Sequence, residues 1–402
     1  MIYWTAQLIF LTSAAALLYV YVGYPLLVYL VSRIRPLAVE KSAFEPAVTV
    51  LITAYNEERD IRAKLENTLR IDYPKDKLEI LVASDCSSDN TDEIVKEFAA
   101  QGVKLHRQTE RLGKTMAQNA AVERAVGEII LFSDATTDYE PDVLTRMLPN
   151  FADESVGCVA GRLIYTDDSR SSVGKGARSY WSYETSLKRS ESRACSLIGA
   201  SGCLYAIRRS AYRPMYAEAC SDFLICTVIY EQGLRSIYEP DAVCTEETNR
   251  QADKELTMRV RVIAQTFTDL WRNRRMLNPL RSGFYAVQLI SHKVLRYAVP
   301  VFLILIFASS FILAFSSVFF AAALVLQTLF YAIAAAGWFL ERRGKNAGVF
   351  SIPLYFALAN LASLIAFYRF ARGQTYASWE PIREPPEKKQ IYGETERFNN
   401  ES

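Results

Sequence analysis

Glu128-Ile-Ile-Leu-Phe-Ser-Asp-Ala-Thr-Thr-Asp138 is the stretch on which the fold turns. Four consecutive apolar residues, with Gly127 just upstream, run straight into Ser133-Asp134 and a small polar turn. A run of this length reads as a buried central strand that delivers Asp134 to its carboxyl end. In open α/β sheets that edge is where ligands bind. Two roles are open to Asp134: capping a helix that begins near Pro141, or coordinating the divalent cation that a departing diphosphate needs.

Upstream, residues 48–53 form a β-rich run, and Ala54-Tyr55-Asn56-Glu57-Glu58 leads into a helix through Leu69. A second strand over 78–83 ends at Ser84-Asp85 and the turn 86–91, followed by a helix to about Ala100 and a short strand over 103–107. Arg111-Leu112-Gly113-Lys114 then opens a helix to Ala125. Strands alternating with helices at this spacing predict an α/β domain with a doubly wound, mostly parallel sheet. Three strand ends then converge near Ala54, Asp85 and Asp134. Neither a Walker loop nor a Rossmann glycine fingerprint is present. In their place stands an acidic set, Glu57, Asp85 and Asp134, with Lys114 at a helix start. Carboxylates accept from a uracil imide or ribose hydroxyls, and a lysine at a helix N-terminus suits a diphosphate. Capping or solvation is the competing role for each of these residues taken singly.

The chain has 402 residues, half of them hydrophobic and 12% aromatic, and its apolar residues gather at the two ends. Residues 6–31, 297–340 and 349–368 contain no charge. A membrane span needs roughly 20 apolar residues. The sequence therefore predicts one N-terminal span and three C-terminal ones, the 297–340 run folding back near Ser316-Ser317. The first span lacks a basic n-region and cleavage site, so it reads as a retained anchor. Arg33, Arg35 and Lys41 follow it, which places the central domain in the cytoplasm by the positive-inside rule. Seven cysteines without a CxxC pair read as free thiols. A net charge of +2 implies no nucleic-acid partner.

Residues 48–58 (Val-Thr-Val-Leu-Ile-Thr-Ala-Tyr-Asn-Glu-Glu), 85–91 (Asp-Cys-Ser-Ser-Asp-Asn-Thr), 111–114 and 132–135 (Phe-Ser-Asp-Ala) together resemble the membrane-bound family 2 glycosyltransferases, from about residue 46 to 262. The resemblance implies a GT-A nucleotide-sugar domain that inverts configuration at the anomeric carbon, as in synthases similar to those of hyaluronan, cellulose and poly-N-acetylglucosamine. It implies an integral protein of the bacterial inner membrane, a UDP-sugar donor held by Ala54, Tyr55, Glu57, Asp85, Lys114, Asp134 and Arg261, and Mg²⁺ or Mn²⁺ at Asp134. Many relatives carry Asp-x-Asp at this strand end. Here Asp134-Ala135-Thr136 keeps only the first acid, and Asp138 or diphosphate oxygens and water would complete the shell.

The second half supplies the acceptor side. Residues 176–192 read as a helix carrying Trp181 and Glu184. Gly199-Ala200-Ser201-Gly202 resembles the family's acceptor loop, with Trp181, Ser201 and Gly202 as acceptor-binding residues, or else is a tight turn before a strand over 203–207. Asp222, opening a helix to Gln232-Gly233, falls where the family places its catalytic base; the competing role is a first-turn carboxylate favoured by the helix dipole. Residues 255–275 read as a basic helix in which Arg261 alone matches a Gln-x-x-Arg-Trp signature, Val262 standing where the tryptophan would stack on an acceptor sugar. Residues 281–297 read as an interfacial helix. His106 and His292 read as structural.

These expectations divide the chain into an anchor (1–35), a cytoplasmic GT-A domain (46–250), basic and interfacial helices (251–297), membrane helices (298–371) and a tail (372–402). A polysaccharide is the expected acceptor, with a lipid acceptor as the alternative. A non-catalytic nucleotide-sugar-binding component of a secretion complex is the rival class. For the tail, Arg369 and Arg372 suggest a cytoplasmic end, with 349–371 interfacial or re-entrant because Pro353 and Asn360 interrupt it. Trp379 and Arg383 resemble a tail segment held against the nucleotide.

Overall fold

The structure is a computed structural model that describes residues 1–166, 172–247, 252–343 and 348–377. Trp379 and Arg383 lie outside the described residues, as does the Trp181 side chain.

Eight strands form one mixed sheet in the order β3-β2-β1-β4-β7-β6-β8-β5. They are β1 (Val48–Ala54), β2 (Leu78–Ser84), β3 (Val103–Arg107), β4 (Ile129–Asp134), β5 (Asp138–Tyr139), β6 (Val156–Thr166), β7 (Tyr205–Arg208) and β8 (Arg235–Glu247). The first four are mutually parallel, β7 runs antiparallel to β4 and β6, and β8 runs parallel to β6 and antiparallel to β5. The central position of β4 follows from its composition. A parallel strand covered on both faces must be apolar on both, and successive side chains point to opposite faces. Val50, Ile52, Ile129 and Leu131 accordingly enter one core with Ile61, Leu65 and Val95. Leu51, Ile130 and Phe132 enter the other with Ala117, Ala121, Leu224 and Ile225. Each such fully buried side chain contributes about 1.5–3 kcal/mol.

Pairing register aligns the carboxyl ends: Ala54 faces Ser84, and Thr53 faces Asp134. Tyr55, Asp85 and Ala135 therefore leave the sheet at one edge, as the alternating pattern predicts. The strand expected over 203–207 forms instead at Tyr205–Arg208, because Leu204 N–H closes the preceding turn on the Ser201 carbonyl at 3.1 Å. β8 was not anticipated. Pro240 breaks its pattern, and the chain bulges there between the pairs Ala160–Tyr238 and Arg162–Val243 before pairing resumes along β6.

Four helices are long and apolar enough to cross a membrane: Ile2–Ile34, Phe284–Leu313, Val318–Arg342 and Gly348–Ala371. Their exposed Leu8, Phe311, Phe319 and Leu326 make an apolar belt that lipid suits and water does not. The fold-back falls at Ser316-Ser317 as expected, where Ser317 Oγ accepts the Phe319 N–H at 3.2 Å and caps the next helix. The separate interfacial helix expected over 281–297 is not formed. Beyond a short turn at Pro279–Ser282, Phe284 onward belongs to one helix with the apolar run, through a π-turn at Ile290–Leu295. Of the polar residues in 281–297, His292 and Arg296 turn to the Ser172–Ala194 helix, while Arg281 stays exposed. His292 contacts Glu191 at 2.8 Å and Glu184 at 3.2 Å, Arg296 pairs with Glu184, and Tyr24 donates to Glu191. His292 thus has a structural place, tying the sheet domain to the first two membrane helices.

Neither Pro353 nor Asn360 interrupts the last helix. Pro353 lies in its first turn, where no N–H is missed, and Asn360 turns its amide back to the Phe356 carbonyl at 2.8 Å.

Candidate active site

Two residues at the sheet edge adopt left-handed backbone without being glycine, Asn56 (φ 55°) and Cys86 (φ 59°), each just past a strand end. Such strain gathers at functional edges when the surroundings enforce it. Here the two turns hold each other: Asn56 Oδ1 accepts the Ser88 N–H at 2.7 Å, Glu57 N–H donates to Thr91 Oγ1 at 2.7 Å, and Asp85 N–H donates to the Ala54 carbonyl at 2.9 Å. Tyr55 is buried with the Arg111 guanidinium 3.9 Å above its ring.

The Asp85 carboxylate accepts the backbone N–H groups of Leu112 (2.9 Å) and Gly113 (3.0 Å). It thereby fixes the loop that leads, through Gly113 at φ 95°, into the Lys114–Val122 helix. Burial raises the Asp85 pKa above its ordinary value, against these two donors. Its place between the β2 end and this loop shows how one carboxylate shapes the start of the helix that presents Lys114. Lys114 pairs with Asp134. Burial alone would lower the lysine pKa, but the Asp134 carboxylate outweighs it and raises it.

Gly202 sits where the two halves meet. A Cβ there would lie 3.2 Å from Asp222 Oδ2, 3.4 Å from Lys114 Nζ and 3.6 Å from Asp134 Oδ2. Three charged groups from three distant segments therefore converge on one α-carbon, and they approach it this closely because the residue has no side chain. Asp222 lies in the first turn of the Ser221–Glu231 helix, where Oδ1 accepts the Phe223 N–H at 3.0 Å. Its other oxygen faces Gly202. Ser201 accepts a hydrogen bond from Lys188 Nζ at 2.8 Å. Burial lowers the Lys188 pKa. Arg261, on the Ala252–Arg272 helix, is close enough to Asp134 and Asp222 for their charges to act on it. Val262 beside it is 36% exposed, a modest side chain at the place of the expected aromatic.

The structure thus brings Lys114, Asp134, Gly202 and Asp222 together, with Ser201 and Arg261 adjacent. Ala54, Tyr55, Glu57 and Asp85 lie on the parallel half of the same edge. Asp138, the expected second acid, is exposed on β5 opposite Thr245. The residue that meets Thr136 is Glu246, at the end of β8, whose Oε1 accepts the Thr136 hydroxyl at 3.0 Å. Burial, with the nearby Asp134 charge, raises the Glu246 pKa to about 7. Only the 136–246 pairing across the sheet reveals it. Lys64 was also missed. It is buried beneath the Asp134–Asp138 turn, donating to the Thr137 carbonyl at 2.7 Å with the Tyr139 ring 3.6 Å away, and its helical position reads as solvent-facing in the sequence.

Among the described residues no group of three or more His, Cys, Asp and Glu side chains could hold a metal. Asp134 with Glu246 nonetheless supplies hard oxygen donors beside the open space at Gly202, a set that fits Mg²⁺ or Mn²⁺ when phosphate oxygens and water complete the shell.

The mixed sheet with its acidic strand ends is of the GT-A type. Residues 49–215 match Glycosyl transferase family 2, so the chain carries a family 2 glycosyltransferase domain. It is similar to an N-acetylglucosaminyltransferase of Mesorhizobium japonicum, 26% identical over 56% of this chain and 57% of that one. It is 30% identical to a poly-beta-1,6-N-acetyl-D-glucosamine synthase of Staphylococcus aureus over 49% of each. A probable glycosyltransferase of Bacillus subtilis is 37% identical over 29% of each. The chain thus spans between 29% and 57% of the length of these curated relatives. In fold it matches a mannosyltransferase from Pyrobaculum calidifontis, solved in complex with GDP-Man and Mn²⁺, with a TM-score of 0.71 at 23% identity, covering 91% of this chain and 99% of that one. The matched segment is thus a family 2 glycosyltransferase domain, and it lies in a chain with four helices long and apolar enough to cross a membrane.

Proposed function

We propose that the protein is an inverting glycosyltransferase that moves a sugar from a UDP-sugar onto a growing polysaccharide at the membrane. One observation carries the reading: Asp222, Lys114 and Asp134 converge on the vacant side-chain position of Gly202. Asp222 takes the proton from the acceptor hydroxyl as that oxygen attacks the anomeric carbon, a step that general-base catalysis helps by ~10²–10⁴-fold. Lys114 and Arg261 face the departing diphosphate and offset its charge. Asp85, Glu57 and the Tyr55 turn form the nucleoside end. Asp134, with Glu246, would hold the divalent cation, which when bound supplies further charge stabilisation to the diphosphate. Ser201, Gly202 and Trp181 belong to the acceptor side.

The names of two relatives make UDP-N-acetylglucosamine the first donor to test. Arg33, Arg35 and Lys41 after the first span support a cytoplasmic catalytic domain in a bacterial inner membrane. A second reading, a lipid acceptor, is favoured by Val262, which cannot stack on a sugar as an aromatic does; product size on a gel separates the two. The test of the main reading is Asp222→Asn. UDP release from UDP-N-acetylglucosamine should fall at least about 100-fold while UDP affinity stays within about threefold. Near wild-type release by the variant would refute Asp222 as the base.

A further inference from the structure

Asp222 needs to be held to about half an ångström to act on an acceptor hydroxyl, and the residue before its helix holds it by a weak thiol donor alone. Cys220, the N-cap, makes no side-chain capping bond to the helix backbone. Its thiol lies 3.1 Å from Asp222 Oδ1. What grips its backbone is Asp269, from the Ala252–Arg272 helix, whose Oδ2 accepts the Cys220 N–H at 3.1 Å. Asp269 is 1% exposed, and its other oxygen accepts the Tyr216 hydroxyl. Both of its bonds therefore end on the loop 216–220 that delivers Asp222. Burying a carboxylate is costly unless its oxygens are satisfied, so a buried aspartate bonded twice to one loop fixes that loop's position. Arg261, two turns earlier on the same helix, is near enough for the charges of Asp134 and Asp222 to act on it. On this helix Val260, Ile263 and Ala264 pack with Ala362 and Ala366 of the last apolar helix.

We infer that Asp269 is a positioning residue that sets the Asp222 carboxylate against Gly202 by clamping the N-terminus of the Ser221–Glu231 helix. This rests on Asp222 being the base. Both side-chain bonds of Asp269 end on Tyr216 and Cys220, and the same loop is held separately on the Lys114–Val122 helix by Thr115 Oγ1, which donates to the Ala219 carbonyl at 2.9 Å, so losing Asp269 disturbs the acceptor step more than donor binding.

The experiment compares full-length wild type with Asp269→Ala, Asp269→Asn and Asp222→Asn, reading UDP release from UDP-N-acetylglucosamine, the KM for that donor, and amide hydrogen exchange over 218–224. Asp269→Ala should lower kcat at least about tenfold, leave donor KM within about twofold, and speed exchange of the 220–223 amides at least tenfold while β1 and β4 stay protected. Asn keeps an acceptor for Cys220 N–H and gains a donor for Tyr216, so Asp269→Asn should recover both readouts to within about threefold. Unchanged exchange in the alanine variant, a matching rise in donor KM, or equal damage by Ala and Asn would each overturn the inference. If Asp222→Asn stays active, the base assignment falls, and the exchange readout still decides whether the clamp exists.

Discussion

Gly202→Ala separates function from folding. The added methyl would stand 3.2 Å from Asp222 Oδ2, 3.4 Å from Lys114 Nζ and 3.6 Å from Asp134 Oδ2. The first two separations oblige the carboxylate and the ammonium to give way by a few tenths of an ångström, and the methyl occupies the space between base and leaving-group residues. Misplacing reacting groups by 1 Å costs about 10²-fold, so kcat should fall between about 10- and 100-fold. Stability should move little. Gly202 is not among the positive-φ glycines, so alanine fits its backbone, and the unfolded chain loses freedom worth about 0.4–1 kcal/mol. That gain offsets the cost of the small displacements of the Asp222 and Lys114 side-chain ends, and the net change should stay within about 1 kcal/mol. Gly233→Ala is the converse control. It has φ +79° and nothing within 4 Å, so it should lower the unfolding temperature and leave kcat alone. UDP release and thermal unfolding on the same preparations read both quantities. Wild-type turnover in Gly202→Ala would mean that the acceptor and donor do not meet at this α-carbon, and the site would have to be sought elsewhere on the edge.

Two further predictions follow from the same region. Asp134→Ala should abolish transfer and remove any dependence of UDP binding on Mn²⁺ or Mg²⁺, measured by calorimetry; full wild-type activity in excess EDTA would dispose of the metal. Burial lowers the Lys64 pKa to about 7, well below its unfolded value. Above pH 7 the unfolded chain therefore binds a proton that the folded one does not, and this residue's contribution to stability grows as pH rises from about 7 toward 10. Lys64→Met should flatten that rise in urea unfolding; an unaltered pH slope would show that Lys64 ionises normally.

Much of the architecture is written in local pattern. The apolar runs of β1, β2 and β4 read as buried parallel strands, and their ends put Asp85 and Asp134 at one edge. The charge-free stretches mark the membrane helices with the break at Ser316-Ser317, because spanning hydrocarbon requires a continuous apolar run. The resemblance carried by 48–58, 85–91, 111–114 and 132–135 supplied the family and a candidate base. Other features depend on partners far away in sequence. β8 forms because β6 offers an open edge, overriding the proline in its middle, and it is β8 that carries Glu246 to Thr136. Lys64 looks like a surface residue until the 134–138 turn folds over it. His292 and Arg296 suggest a water interface in the sequence, but Glu184 and Glu191, about a hundred residues earlier, pair with them. Asp269 reads as one more charge on a basic helix until the helix packs against the loop before Asp222. Periodicity and length act within a segment and so can be read from it; the pairing of buried charges and the packing of one loop against another exist only once the chain is folded.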